Sequence, residues 1–148
     1  MVGQCLSIVG RCLGETMGNS PEAAVRQLLG LWGDPQAQRF AAIFSDDVIW
    51  IDGPNGVHRG SAAVVEELIR QLSMFPGQWM EIDALVASGK TVMVEWHGGF
   101  SARGTTIHTK VMARFEIDPD GRIAQMHESY DMNSLVQQLG AAGFQLSG

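Results

Sequence analysis

Four stretches in the second half of the chain, residues 79–87, 91–101, 106–117 and 122–130, alternate apolar and polar residues with a period of two. Only Ser88-Gly89-Lys90, Arg103-Gly104-Thr105 and Asp118-Pro119-Asp120-Gly121 lie at the turns between them. Such connections are too short for a crossover, so successive strands must run antiparallel as a meander. The first half has a different rhythm. Ser20-Pro21-Glu22 is an N-cap followed by Pro at the first helical position, with Ala24, Leu28, Leu31 and Trp32 forming one apolar face. Asp34-Pro35 repeats the start signal for a short helix carrying Phe40, Ile43 and Phe44 and ending at Ser45-Asp46-Asp47. A strand at 48–52 and the turn Gly53-Pro54-Asn55-Gly56 follow. Ser61 then caps a third helix with Val64, Val65, Leu68, Ile69 and Leu72 at helical spacing, which stops near Pro76-Gly77. Residues 133–139, before Gly140, read as a short closing helix. The order predicts an α+β fold, a curved and mainly antiparallel sheet wrapped around the N-terminal helices, with an apolar cavity at its closed end.

With 148 residues and 45% apolar content, the chain holds one sizeable core and no second domain. A net charge of −6 and ten scattered Lys and Arg residues form no basic stripe, which argues against nucleic acid or an anionic membrane surface as partner. No apolar run approaches the ~20 residues that span a bilayer. Cys5 and Cys12 are the only thiols, so neither a disulfide framework nor a cysteine metal site is expected. Residues 1–19 read as an N-terminal extension to a single domain at 20–148, either appended or docked as a short helix. They lack a clustered basic region and a cleavage pattern, so the expected location is the cytoplasm.

Two carboxylates carry the strongest chemical signal. Asp52 ends Val48-Ile49-Trp50-Ile51-Asp52, and Glu128 shares one strand face with Met126 and Tyr130. Burial among apolar groups disfavours a carboxylate's charge and raises its pKa toward the range useful for proton transfer. Two such groups can divide the acid and base roles. Asp before a Gly-Pro-Asn-Gly turn also commonly accepts backbone hydrogen bonds, and Glu128 can alternatively pair with Arg114 or face solvent.

Asp46-Asp47-Val48-Ile49-Trp50-Ile51-Asp52, Gly56-Val57-His58-Arg59-Gly60 and Asp120-Gly121-Arg122-Ile123, in this element order, resemble the nuclear-transport-factor-2-like superfamily. The resemblance covers roughly residues 20–140 and implies a cone-shaped α+β barrel. Within the superfamily the chain is most similar to SnoaL-like polyketide cyclases, limonene-epoxide-hydrolase-like proteins and ketosteroid isomerases. It implies that Asp52 stands where the isomerases carry a proton-shuttling Asp and the hydrolases carry an amide that holds water. Glu128 stands where the hydrolases carry a catalytic Asp. The chain departs from both patterns. Trp96 and Gly98 replace the hydrolases' Arg and Asp, and Leu28-Leu29 and Lys110-Val111-Met112 lack the isomerases' oxyanion donors.

The catalytic candidates are therefore Asp52, Glu128 and Tyr130, whose hydroxyl is a substitute donor. Trp50, Trp96, Phe100, Val111 and Met126 are the expected pocket lining, with packing as the competing role for the aromatics. His97 and His127 turn to the opposite face, and His58 sits in a turn. The four histidines show no metal-ligand spacing, so no metal is assigned, and no cofactor fingerprint is present. Gly98-Gly99 reads as a turn or flexibility signal. The leading functional expectation is a cofactor-independent acid-base enzyme acting on a small apolar molecule by isomerisation, cyclisation or aldol-type proton transfer. Epoxide hydrolysis and a non-catalytic ligand-binding or dimerisation module are the alternatives. The sheet's outer face, with His97, Lys110, Met112 and His127, is the expected homodimer surface.

Overall fold

The computed structural model describes residues 20–145, so the N-terminal extension and both cysteines lie outside the described residues. Helix α1, Pro21–Leu29, begins as its sequence dictates: Ser20 Oγ accepts the Ala23 N–H at 3.1 Å, and Ala24, Val25, Leu28 and Leu29 are buried. Leu31 and Trp32 follow in the turn beyond it. Helix α2, Ala37–Ile43, is shorter than expected. Phe44 is already extended and opens strand β1, Phe44–Asp52, so Ser45, Asp46 and Asp47 belong to a strand and not to a helix end. Burial explains the change. Phe44 and Val48 are both fully buried, and a register irregularity between Phe44 and Ile49 leaves Asp46 and Asp47 exposed.

After a 3-10 turn at Gly53–Asn55, strand β2, Val57–Arg59, folds back on β1 with His58 opposite Trp50. His58 is thus a strand residue, a correction to its expected place in a turn. Helix α3, Ser61–Met74, is capped by Gly60 at φ 86° and not by Ser61, and it buries Val64, Val65, Leu68 and Leu72. Strands β3, Trp79–Ser88, β4, Thr91–Ala102, β5, Thr105–Ile117, and β6, Ile123–Tyr130, form the expected antiparallel meander. Helix α4, Met132–Ala141, closes the fold, with Asp131 accepting the Ser134 N–H.

The six strands form one curved, unclosed sheet in the order β2-β1-β6-β5-β4-β3. Strand β1 lies beside β6 and parallel to it, the single parallel pairing in this sheet. That pairing sets Trp50 opposite Met126 and Asp52 opposite Glu128. Across β5 the rows continue, with Met126 facing Phe115, Glu128 facing Ala113 and Tyr130 facing Val111. Val111 in turn faces Trp96 on β4. Because directly opposed residues point to the same side, these rows form the concave face on which the helices pack.

Gly98 and Gly99 lie inside β4, within the strand expected at 91–101, and mark no turn there. A Cβ at Gly98 would stand 2.4 Å from the Trp79 carbonyl oxygen, and one at Gly99 would stand 2.5 Å from that of Ile107. The absence of side chains lets neighbouring backbone approach closely at this point. Gly98→Ala is expected to cost about 1–3 kcal/mol of stability through overpacking against backbone. Urea denaturation checks this, and an unchanged midpoint would contradict the close approach.

Candidate active site

Asp52 and Glu128 stand side by side because β1 and β6 pair in parallel register there. Both are buried. Each finds a different kind of partner. Tyr130 donates its hydroxyl to Asp52 Oδ1 at 3.0 Å, and Gln71 on α3 donates to Oδ2 at 2.7 Å. Asn55, from the 3-10 turn, donates to Tyr130 Oη at 2.6 Å and more distantly to Asp52 Oδ2 at 3.4 Å. Glu128 accepts one hydrogen bond, from the Trp50 indole N–H to Oε2 at 3.0 Å. Among the described residues, no ion pair involves either acid, and Arg114 engages Gln125 and Glu116 instead of Glu128.

The electrostatic consequence is asymmetric. Burial pushes the Glu128 carboxyl up to about 8, the neighbouring Asp52 charge adds to the rise, and the Trp50 hydrogen bond only partly offsets it. Glu128 therefore carries its proton at neutral pH and can donate it. Burial, followed by the Asp52 charge, also raises the Tyr130 phenol above its ordinary value, which keeps it a donor. Asp52 is the acceptor to which Tyr130, Gln71 and Asn55 are directed.

The acids open onto a cavity of about 970 Å³, large enough for a multi-ring molecule. Asp52, Glu128, Tyr130, Trp96, Phe100 and Val111 line it. Trp50 and Met126, expected in the lining, are fully buried behind it, where alternation places them on the concave face but the helices cover them. Trp50 acts on the site through its indole N–H. Trp32 meets Trp96 edge-on at 6.0 Å, and Phe75 stacks on Phe100 at 4.7 Å.

Sequence reasoning missed Asn55 and Gln71. Asn55 was legible only as a turn residue. Gln71 had a signal: with Glu67 it forms an i,i+4 polar pair beside the apolar Leu68 and Leu72, the position from which a side chain reaches the rim of a cavity. His58 was missed for the same reason as β2, since a three-residue strand leaves too short a pattern to read. Its ring lies against Trp50 at 5.1 Å, and its Nε2 is buried without a hydrogen-bond partner. The side-chain donor atoms of Asp52, His58 and Glu67 all fall within 4.8 Å of one another, a set from which a metal ion could be held. Glu67 is also bonded by Arg70, chiefly for that reason pushed down to about 2.

The profile of the SnoaL-like domain matches residues 25–126, and the chain belongs to that family. No curated protein matches it by sequence. Solved structures share its fold across most of their length. A LEH-like epoxide hydrolase from M. tuberculosis is 21% identical at a TM-score of 0.70, covering 82% of this chain and 90% of its own. A SnoaL-like polyketide cyclase from Jannaschia sp. CCS1 is 15% identical at 0.74, with 82% and 92% covered. A protein of ketosteroid isomerase-like fold from Catenulispora acidiphila DSM 44928, solved with trimethylamine, is 16% identical at 0.72, with 83% and 97% covered. At these identities the likeness is one of fold: the nuclear-transport-factor-2-like cone.

The raised Glu128 carboxyl makes stability depend on pH. Between the ordinary value of 4.5 and about 8, the folded protein holds a proton that the unfolded chain releases, so this group's contribution is full below 4.5 and is lost as pH rises through 8. Glu128→Gln removes the dependence and can still accept from Trp50. The stability of this variant relative to the parent is expected to grow from pH 5 to pH 8, by at most ~1.4 kcal/mol per pH unit. Denaturation curves at several pH values check it, and parallel pH profiles for the two proteins would contradict it.

Proposed function

We propose that this protein is a general acid-base enzyme that moves a proton on a small, largely apolar carbonyl compound, by isomerisation, cyclisation or an aldol-type step. The observation that carries the reading is the register-opposed pair at the end of an aromatic cavity, in which burial holds Glu128 protonated beside the Asp52 carboxylate. Asp52 takes a proton from carbon adjacent to the carbonyl, and Glu128 donates to the carbonyl oxygen as negative charge develops there. Tyr130 and Gln71 hold the Asp52 carboxylate in one orientation, so the base needs little reorganisation. Trp96, Phe100 and Val111 bind the apolar body of the substrate and exclude water. The chain's own groups account for each of these steps.

Asp52→Asn and Glu128→Gln are each expected to lower turnover by about 10²–10⁴ with a much smaller effect on binding. Solvent deuterium exchange into a panel of cyclic ketones and polyketide-like phenols, followed by mass spectrometry, provides the assay. Exchange by the parent and not by the variants is the expected outcome. Equal ligand binding by parent and variants, with no exchange and no product from any of them, would make the cavity a binding site whose acids are structural.

A second reading, epoxide opening by water, is favoured by the convergence of Asp52, Asn55 and Tyr130, which can hold a water. In it Asp52 is the base and protonated Glu128 supplies the acid that the missing Arg-Asp pair would otherwise provide. Incorporation of labelled oxygen from water into a diol would place this reading ahead of the first.

The same proposal includes a homodimer formed through the outer sheet face. Val86, Met93 and Met112 are exposed there, beside the paired Lys110 and Glu95. Met112→Glu is expected to shift the protein toward the monomer in sedimentation velocity, since it places a charge within an apolar contact. A monomeric parent would contradict the dimer.

A further inference from the structure

We propose that Asp52, His58 and Glu67 form a binding site for one divalent transition-metal ion in the wall of the cavity, with the Gln71 side-chain carbonyl as a fourth donor. Two independent observations meet at this point. The donor atoms of the three residues lie within 4.8 Å of one another although they come from β1, β2 and α3. On the His58 ring, Nε2 is buried and has no hydrogen-bond partner. A buried polar nitrogen left unpaired is destabilising, and a metal bond removes that cost. Packing against Trp50 fixes the ring, so the nitrogen is oriented before any ion arrives.

The donor chemistry fits. Two carboxylates neutralise a dication, and an imidazole beside them favours Zn²⁺, Mn²⁺ or Fe²⁺ over Mg²⁺ or Ca²⁺. Gln71 now donates its amide to both Asp52 Oδ2 and Glu67 Oε1, at 2.7 and 2.9 Å, so it already sits between the two carboxylates. Rotation of the amide by half a turn presents its oxygen to the same point. Adjacent ligands around a tetrahedral Zn²⁺ with ~2.1 Å bonds stand about 3.4 Å apart, so the set must contract slightly. Glu67 can supply the movement, because it lies on the cavity-facing side of α3 and its other partner is the exposed Arg70. Arg70 Nε can keep Oε2 while Oε1 turns to the ion.

An ion held here takes Asp52 Oδ2 and leaves Oδ1 with Tyr130. A loaded site therefore withdraws Asp52 from proton transfer, and the ion is an inhibitory ligand. The binding claim does not rest on the proposed reaction, because it is tested without any substrate.

The test is calorimetric titration of the full-length, chelator-treated protein with Zn²⁺, alongside His58→Phe and Glu67→Gln variants whose folding is checked by circular dichroism. The expected result is one saturable site per chain in the parent, a thermal midpoint raised by Zn²⁺, and at least ~10-fold weaker binding in each variant. Co²⁺ titration should give a visible absorption band that both substitutions remove. Absence of saturable binding in the parent would overturn the proposal. Undiminished binding in the variants would also overturn it, by placing the ion at Cys5 and Cys12 or at the outer-face group of His97 and Asp83. If His58→Phe fails to fold, the Glu67→Gln result decides the matter alone.

Discussion

The parallel pairing of β1 with β6 is the constraint on which the site depends. It joins two segments distant in sequence and sets Asp52 directly opposite Glu128, so neither acid can be exposed without breaking the register of the sheet. Two carboxyl groups forced together in an apolar enclosure cannot both ionise cheaply. The structure resolves the conflict by giving Asp52 three side-chain donors and Glu128 one indole, which leaves Glu128 to retain the proton. The asymmetry between the two carboxyl groups is thus a result of backbone pairing and of which neighbours each residue meets.

The remainder of the fold supports this pairing. Helix α3 covers the strands and also sends Gln71 down to Asp52, while Glu67, itself bonded by Arg70, accepts from Gln71. Strand β2 holds His58 against Trp50, and Trp50 in turn reaches Glu128. Gly98 and Gly99 leave room for the backbone of β3 and β5 to approach β4 closely beside the cavity. Across the mouth, Gln138 on α4 bonds both the N–H and the carbonyl of His108, so the helix is tied to the strand it covers.

Much of this was legible in the residues. The period of two located β3 to β6 to within one or two residues, and alternation alone placed Trp96, Val111, Met126, Glu128 and Tyr130 on one face. Alternation does not report depth. Trp50 and Met126 share the face that lines the cavity but lie where helices cover it, and that distinction arises only from packing. The start of β1 was hidden because Phe44 continues the apolar spacing of α2, so the change of period at residue 44 had no marker. Asn55, His58, Glu67 and Gln71 come from a turn, a three-residue strand and a helix, and no linear spacing brings them to Asp52. The superfamily resemblance supplied the expectation of a curved, cone-shaped sheet, whereas the two acids were legible from the strand faces that carry them.

The central claim is that Glu128 is a proton donor at neutral pH because of where the fold puts it. Carbon-13 NMR of side-chain carboxyl groups, assigned with Glu128→Gln, measures this directly. A Glu128 titration midpoint near 8 is the expected result, falling in Asp52→Asn as the neighbouring charge is removed. A midpoint near the ordinary 4.5 in the folded protein would contradict the claim and with it the division of acid and base between the two strands.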